Sequence, residues 1–262
     1  MADPVSYERR GSAAVLTIQR EERRNAVDGP TAGLLAEGYR RFVDDDAARV
    51  LVLTGAGDLA FCAGADLKAI ETLGPRLELD EGPLGFTRRI SPKPTIAAIS
   101  GWCLAGGLEL ALWCDLRVAT ETAKLGFTER RFGVPLIDGG TQRLPRIVGL
   151  GRALDMILTG RNVRAKKALQ MGLLDEMVHP SILREVAVRR ARAGPARAHG
   201  VGRAPVLPRR PVQGRDRAGV RAPTSCDRTR PQSSPVVQAP CRTRAAADPD
   251  QRRTRPRAAP RP

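Results

Sequence analysis

Residues 99–115 read ISGWCLAGGLELALWCD: a strand running into Gly101, a Gly106-Gly107 pair, then a helix with Glu109 in its first turn. Helix starts leave backbone N–H groups without intrahelical partners, and the helix dipole adds partial positive charge there. Glycine at such a start lets a ligand approach the backbone closely, so the turn is suited to hydrogen-bonding a developing oxyanion. The same pair also reads as a tight turn and nothing more. Glu109 is flanked by Leu108, Leu110, Ala111, Leu112 and Trp113, which predicts a desolvated carboxylate. Burial raises a carboxyl pKa toward the range useful for proton transfer; a solvent-facing glutamate that helps the helix start is the alternative.

Outward from that stretch, strands alternate with helices. Residues 14–18 (AVLTI), 50–53 (VLVL) and 95–99 (TIAAI) are apolar and rich in β-branched residues, hence strands. Residues 31–43 (TAGLLAEGYRRFV) space their apolar groups at three and four and predict an amphipathic helix. Alternation of this kind implies an α/β fold with crossover connections, its loops at the strand ends free for chemistry. Residues 60–67 (AFCAGADL) follow the second strand and offer another small-residue turn, either a second backbone donor or a plain turn capped by Asp66. Residues 72–93, dense in Gly and Pro, predict an irregular surface segment. Past Arg143 the pattern turns helical, with a glycine break near 149–151, a short helix from Ala165 to Met171, and a last short strand within 173–178.

Composition divides the chain. All nine aromatic residues lie between Tyr7 and Phe132, whereas residues 189–262 hold 19 Arg, no Lys, 12 Pro and 4 acidic residues. That stretch carries +15 of the net +16, and residues 1–188 are close to neutral. No apolar run is long enough to span a membrane, and the N-terminus lacks a signal core. The five cysteines have no CxxC spacing and read as reduced thiols of a cytoplasmic protein.

Three blocks together, AFCAGADL (60–67), GWCLAGGLELALWCD (101–115) and LGFTERRFGVPLIDGGTQRLPRIVG (125–149), resemble the signatures of the enoyl-CoA hydratase/isomerase, or crotonase, family in order and spacing. LTGR at 158–161 and ALQMGLL at 168–174 extend the likeness, which spans roughly residues 9–188. The resemblance implies a crotonase-like (ClpP/crotonase) spiral of ββα units. It implies an oxyanion hole from the N–H groups of Ala65 and Gly106, with Glu109 and Glu129 as catalytic carboxylates. It sets Ala63, Asp66 and Leu67 along the adenine and pantetheine of coenzyme A, with Lys68 near the phosphates. Two glutamates favour hydration of a trans-2-enoyl-CoA to a 3-hydroxyacyl-CoA, as in fatty acid β-oxidation, and one alone would suit double-bond isomerisation. The partner implied is an acyl-CoA thioester, with coenzyme A part of the substrate and no separate cofactor or metal. His179 and His199 fall outside the blocks and read as structural.

After about Val188 the family pattern stops. Relatives continue with helices that complete the acyl pocket and pack a homotrimer or hexamer; here a basic Arg/Pro-rich segment, 189–262, follows. It holds one leucine, Leu207, and no Ile, Met or aromatic residue, too little apolar surface to offset chain entropy, so disorder is expected. A GC-rich gene read in a shifted frame would give such a mixture, leaving a crotonase-like domain 1–188 with incomplete C-terminal helices and no activity. A genuine basic arm would bind phosphates in a salt-dependent, sequence-blind way. No membrane and no specific nucleic-acid partner is expected.

Overall fold

The chain passes back and forth between two sheets. The structure, a computed structural model, describes residues 3–192. Six strands, β1 (Val5–Arg10), β2 (Ala13–Ile18), β3 (Val50–Gly55), β5 (Thr95–Ile99), β7 (Leu116–Thr120) and β10 (Glu176–Val178), form the larger sheet in the order β1-β2-β3-β5-β7-β10. It is parallel except for the β1–β2 hairpin. Four three-residue strands, β4 (Ala60–Cys62), β6 (Trp102–Leu104), β8 (Lys124–Gly126) and β9 (Asn162–Arg164), make the smaller sheet in the order β4-β6-β8-β9. Each β3–β4, β5–β6 and β7–β8 pair leaves the large sheet for the small one before a helical segment returns the chain, giving the stacked ββα turns of a crotonase-like fold.

Alternate side chains of the large sheet serve two cores, as the two-residue strand period requires. Leu16, Ile18, Leu51, Leu53, Ala97 and Ile99 face inward to α1 (Gly29–Asp44) and α2 (Gly106–Trp113). Val15, Val50, Val52, Ile96 and Val118 face the other way, where the last described helix, α6 (Leu183–Arg192), covers them with Leu183, Val186, Ala187 and Ala191. The rings of Tyr39 on α1, Phe86 and Trp113 on α2 meet at centroid distances of 4.5–5.4 Å. The long segment between β4 and β5 is thereby pinned to both helices at its far end.

The remaining elements are α3 (Gly140–Val148), α4 (Leu150–Thr159), α5 (Ala165–Gln170) and single-turn 3-10 segments. The stretch 72–93, expected as an irregular surface segment, is irregular but not wholly surface. The kinked 3-10 run Leu67–Arg76 enters it and turns follow through Ser91. Residues 82–87 are buried, Leu84, Phe86 and Thr87 at 0–2% exposure, because they close on the core and the cavity. The expected break near 149–151 falls between α3 and α4, where Gly149 adopts φ +83°. His179 caps the 3-10 turn Pro180–Ile182, its Nδ1 accepting from Ser181 N. Among the described residues no helix is long and apolar enough to cross a membrane. Cys62, Cys103 and Cys114 are free and buried. Of the basic segment expected to be disordered from residue 189 onward, residues 189–192 are instead the last turn of α6, and everything past Arg192, His199 included, lies outside the described residues.

Candidate active site

Two backbone amides meet where β4 and β6 end. Val27 and Ala65 form a parallel bridge in which Val27 N donates to Gly64 O and Val27 O accepts from Asp66 N. That pattern turns the N–H of Ala65 itself away from Val27, toward a cavity of about 470 Å³ that Ala65 lines. Gly106 is the first residue of α2, and its N–H has no intrahelical acceptor. The two amides are neighbours: a Cβ built on Gly106 would lie 3.7 Å from Ala65 N, and one on Gly64 only 2.9 Å from Gly106 N. Among the described residues, neither N–H donates to a protein acceptor.

This closeness requires unusual backbone. A side chain at Gly107 would place its Cβ 2.1 Å from Cys62 O, so only glycine lets α2 seat against β4. Ala105, just before the helix, holds φ +52° and ψ −129°, a conformation that L-residues rarely adopt and that costs on the order of 1–3 kcal/mol. Its N–H is fastened to Gly126 O at 2.9 Å.

Glu109 and Glu129 face the same cavity from α2 and from the 3-10 turn Glu129–Phe132. Glu109 is 2% exposed, and its Oε1 accepts from Asp138 N at 3.0 Å and Gly140 N at 2.7 Å. Oε2 takes no hydrogen bond from the described residues. Burial first, then the charge of Asp138, pushes the Glu109 carboxyl up to about 8 against the pull of those amides, with Glu129 adding a little. Glu129 is 5% exposed, and both carboxylate oxygens are buried with no hydrogen-bond partner among the described residues. Burial pushes it up to about 7, the charge of Asp138 contributing. A buried carboxyl with neither oxygen satisfied is costly as a purely structural feature.

The rest of the wall is largely apolar: Leu73, Leu77, Leu84, Val134 and Ile137, with Phe132 63% exposed yet lining the cavity. Ala63 and Leu67 line it too, whereas Asp66 and Lys68 do not. Asp66 is turned inward, its Oδ2 3.1 Å from Arg20 Nη2 and its Oδ1 accepting from Lys68 N, while Lys68 is exposed. Arg20 also pairs with Asp28 at 2.9 Å, locking the 63–68 turn to the start of α1.

Comparison with known proteins agrees with this architecture. The sequence profile of the enoyl-CoA hydratase/isomerase family matches residues 8–196. The chain belongs to the enoyl-CoA hydratase/isomerase family. A short-chain-enoyl-CoA hydratase of Clostridium acetobutylicum is 37% identical over 187 residues, 70% of this chain and 72% of that protein. An (E)-benzylidenesuccinyl-CoA hydratase of Thauera aromatica is 39% identical over 188 residues, 70% of this chain and 73% of that one. The crystal structure of an enoyl-CoA hydratase from Bacillus anthracis superposes with a TM-score of 0.67 at 35% identity, covering 73% of this chain and 76% of the other.

Several residues of this crotonase-fold site have no signal in the spacing of the sequence. Asp138 lines the cavity at 2% exposure, its Oδ1 accepting from Leu84 N at 3.2 Å and from the Thr87 hydroxyl. Arg143, one turn into α3, donates to the carbonyls of Asp138 and Thr87. Asn25, fully buried at φ +54°, donates through Nδ2 to Ala56 O and Ala60 O. Each reads in sequence as an ordinary loop or helix-surface polar residue, because at least one of its partners is 31 or more positions away. Among the described residues no group of three or more His, Cys, Asp or Glu is arranged to hold a metal.

Proposed function

We propose that the chain is an enoyl-CoA hydratase, adding water across the 2,3 double bond of a trans-2-enoyl-CoA to give a 3-hydroxyacyl-CoA. The observation that carries this reading is the pair of buried carboxyls, Glu109 and Glu129, on one apolar cavity that also exposes the free amides of Ala65 and Gly106. The thioester carbonyl accepts from the two N–H groups, which favour the enolate-like transition state; one such donor is worth roughly 2.7–4 kcal/mol. Glu109 takes a proton from a water whose oxygen bonds C3. The C2–C3 π pair moves toward the thioester as an enolate, and Glu129 delivers a proton to C2. The proton taken up by Glu109 then passes back to Glu129 through solvent, so the pair is reset and the elements of one water are added.

The apolar wall from Leu73 to Ile137 suits an acyl chain. Ala63 and Leu67 form the strip along which the coenzyme A arm is proposed to lie, with the backbone of Asp66 and the exposed Lys68 beside it at the rim. The coenzyme is part of the substrate rather than a resident group. The named activities of the Clostridium and Thauera relatives, both hydratases of acyl-CoA thioesters, support the reading, and fatty acid β-oxidation is the setting proposed for it. Three buried free thiols accord with a reducing compartment. The test is a parallel assay of purified protein on crotonyl-CoA and on a 3-enoyl-CoA. Loss of the enoyl-thioester absorbance with crotonyl-CoA is expected. Turnover of the 3-enoyl substrate alone would replace hydration by isomerisation.

A further inference from the structure

Asp138 is a third carboxylate on the cavity wall, and the hydration scheme leaves it without a part. Its backbone N–H and that of Gly140 are the two donors to Glu109 Oε1. Its side-chain Oδ1 accepts from Leu84 N and the Thr87 hydroxyl, on a segment whose Leu84 lines the cavity. Arg143 spans the same two pieces, donating to Asp138 O and Thr87 O. One residue therefore holds the catalytic carboxylate with its main chain and the pocket wall with its side chain.

We propose that Asp138 is a positioning residue for Glu109, its carboxylate tying the Leu84–Thr87 wall to the turn whose two amides hold Glu109 Oε1. This rests on Glu109 acting in the hydration proposed above. Leu84 fixes the consequence: its side chain lines the cavity and lies 2.7 Å from where a Cβ on Gly106 would be. The wall that Asp138 anchors thus also borders the amide of Gly106. Loosening it moves both the base and one side of the oxyanion hole. Such a misplacement lowers turnover more than binding.

The charges facing Glu109 are Asp138 from the loop, Glu129 from the 3-10 turn and Arg143 from α3, whereas β4 and β6 present only Cys62 and Cys103, thiols held neutral by burial. Asp138 itself faces Arg88 and Arg143. Replacing Asp138 by Asn keeps an acceptor for Leu84 N and Thr87 while removing a negative charge that raises Glu109.

The experiment compares Asp138→Ala, Asp138→Asn and Thr87→Val with wild type on crotonyl-CoA, and follows Glu109 in each free protein by carboxyl-carbon NMR titration, assigned through Glu109→Gln. Asp138→Ala is expected to lower kcat roughly 10- to 100-fold with KM within about threefold. Asp138→Asn should recover most of that kcat while the Glu109 midpoint falls by roughly half a unit or more. Thr87→Val should lose kcat in part with the midpoint unmoved, which keeps the test open if Asp138→Ala fails to fold. Equal turnover in wild type and Asp138→Ala, no rescue by Asn, or a Glu109 midpoint indifferent to Asp138→Asn overturns the proposal. A wild type that hydrates no enoyl thioester while the midpoint shifts as stated sinks the hydratase reading and supports the placement of Asp138.

Discussion

Gly140 N donates to Glu109 Oε1 at 2.7 Å across 31 residues of chain, and Asp138 N joins it at 3.0 Å on the same oxygen. One carboxylate oxygen is thus immobilised by the backbone while the other is left to the cavity, the arrangement a positioned base requires. Glu129 differs, since neither of its oxygens has a partner among the described residues. Glu109→Gln and Glu129→Gln should each lower kcat for crotonyl-CoA hydration by roughly 10²–10⁴. Binding of a saturated acyl-CoA, measured calorimetrically, should change little. Near-wild-type turnover in either variant would remove the two-carboxylate scheme.

The pH dependence of kcat/KM should be bell-shaped with its maximum between about 7 and 8, the values to which burial lifts Glu129 and Glu109. The competent pair holds one proton; the higher value of Glu109 places it there in the free protein, and the reactive form is the tautomer that carries it on Glu129. Below that window both carboxyls are protonated and no base remains; above it both are ionised and no acid remains. The two limbs belong to the pair rather than to either residue. An unchanged rate from pH 5 to 7 would contradict this assignment.

The middle of the large sheet was legible because β2, β3 and β5 are apolar runs of five or six residues, long enough for composition to speak. Strands β1, charged at half its positions, and β7, directly after the α2 stretch, were not. The small sheet was not. Strands β4, β6, β8 and β9 have three residues each, shorter than any alternation that could identify them. Two of them, at Ala60–Cys62 and Trp102–Leu104, lie inside stretches that read as turns. Glu109 was legible from its apolar flanks, whereas the burial of Glu129, beside Arg130 and Arg131, is set by elements remote in sequence. The family likeness pointed to Ala65, Gly106 and Glu129. Asp138, Arg143 and Asn25 are polar residues whose buried partners only the fold supplies.

Stability should carry the same carboxyls with opposite consequence. A folded-state pKa above the unfolded value means the fold holds its proton more tightly. That contribution is complete below the unfolded value of 4.5 and is lost as pH rises through about 7 for Glu129. Glu129→Gln should therefore be more stable than wild type at pH 9, by roughly 2 kcal/mol or about 5 °C in Tm. It should gain nothing at pH 5. Thermal melts at the two pH values check it, and a gain at pH 5 equal to that at pH 9 would refute it.

The second face of the large sheet has one cover among the described residues, α6. Leu183, 5% exposed, packs there with Val15, Val52 and Ile96 in the same cluster. Leu183→Ala should cost about 2–4 kcal/mol by urea denaturation. It should leave the KM for crotonyl-CoA unchanged, because the cavity lies on the other side of the sheet. A loss below about 0.5 kcal/mol would mean that α6 does not seal this face.

Ala105 offers a sharper test, because its strain adjoins Gly106. At φ +52° and ψ −129° an L-residue is opposed by its own Cβ, whereas glycine is not. Ala105→Gly relieves on the order of 1–3 kcal/mol of strain in the folded state and adds up to about 1 kcal/mol of chain freedom to the unfolded one. A net gain of about 1 kcal/mol by urea denaturation is the expected result. The methyl group also restricts the turn that aims the Gly106 amide, so kcat should fall by about 2- to 10-fold as that donor becomes less fixed. Stability rising while turnover drops would show strain held for catalysis. A variant that loses stability would show that the Ala105 side chain contributes more through packing than its backbone costs.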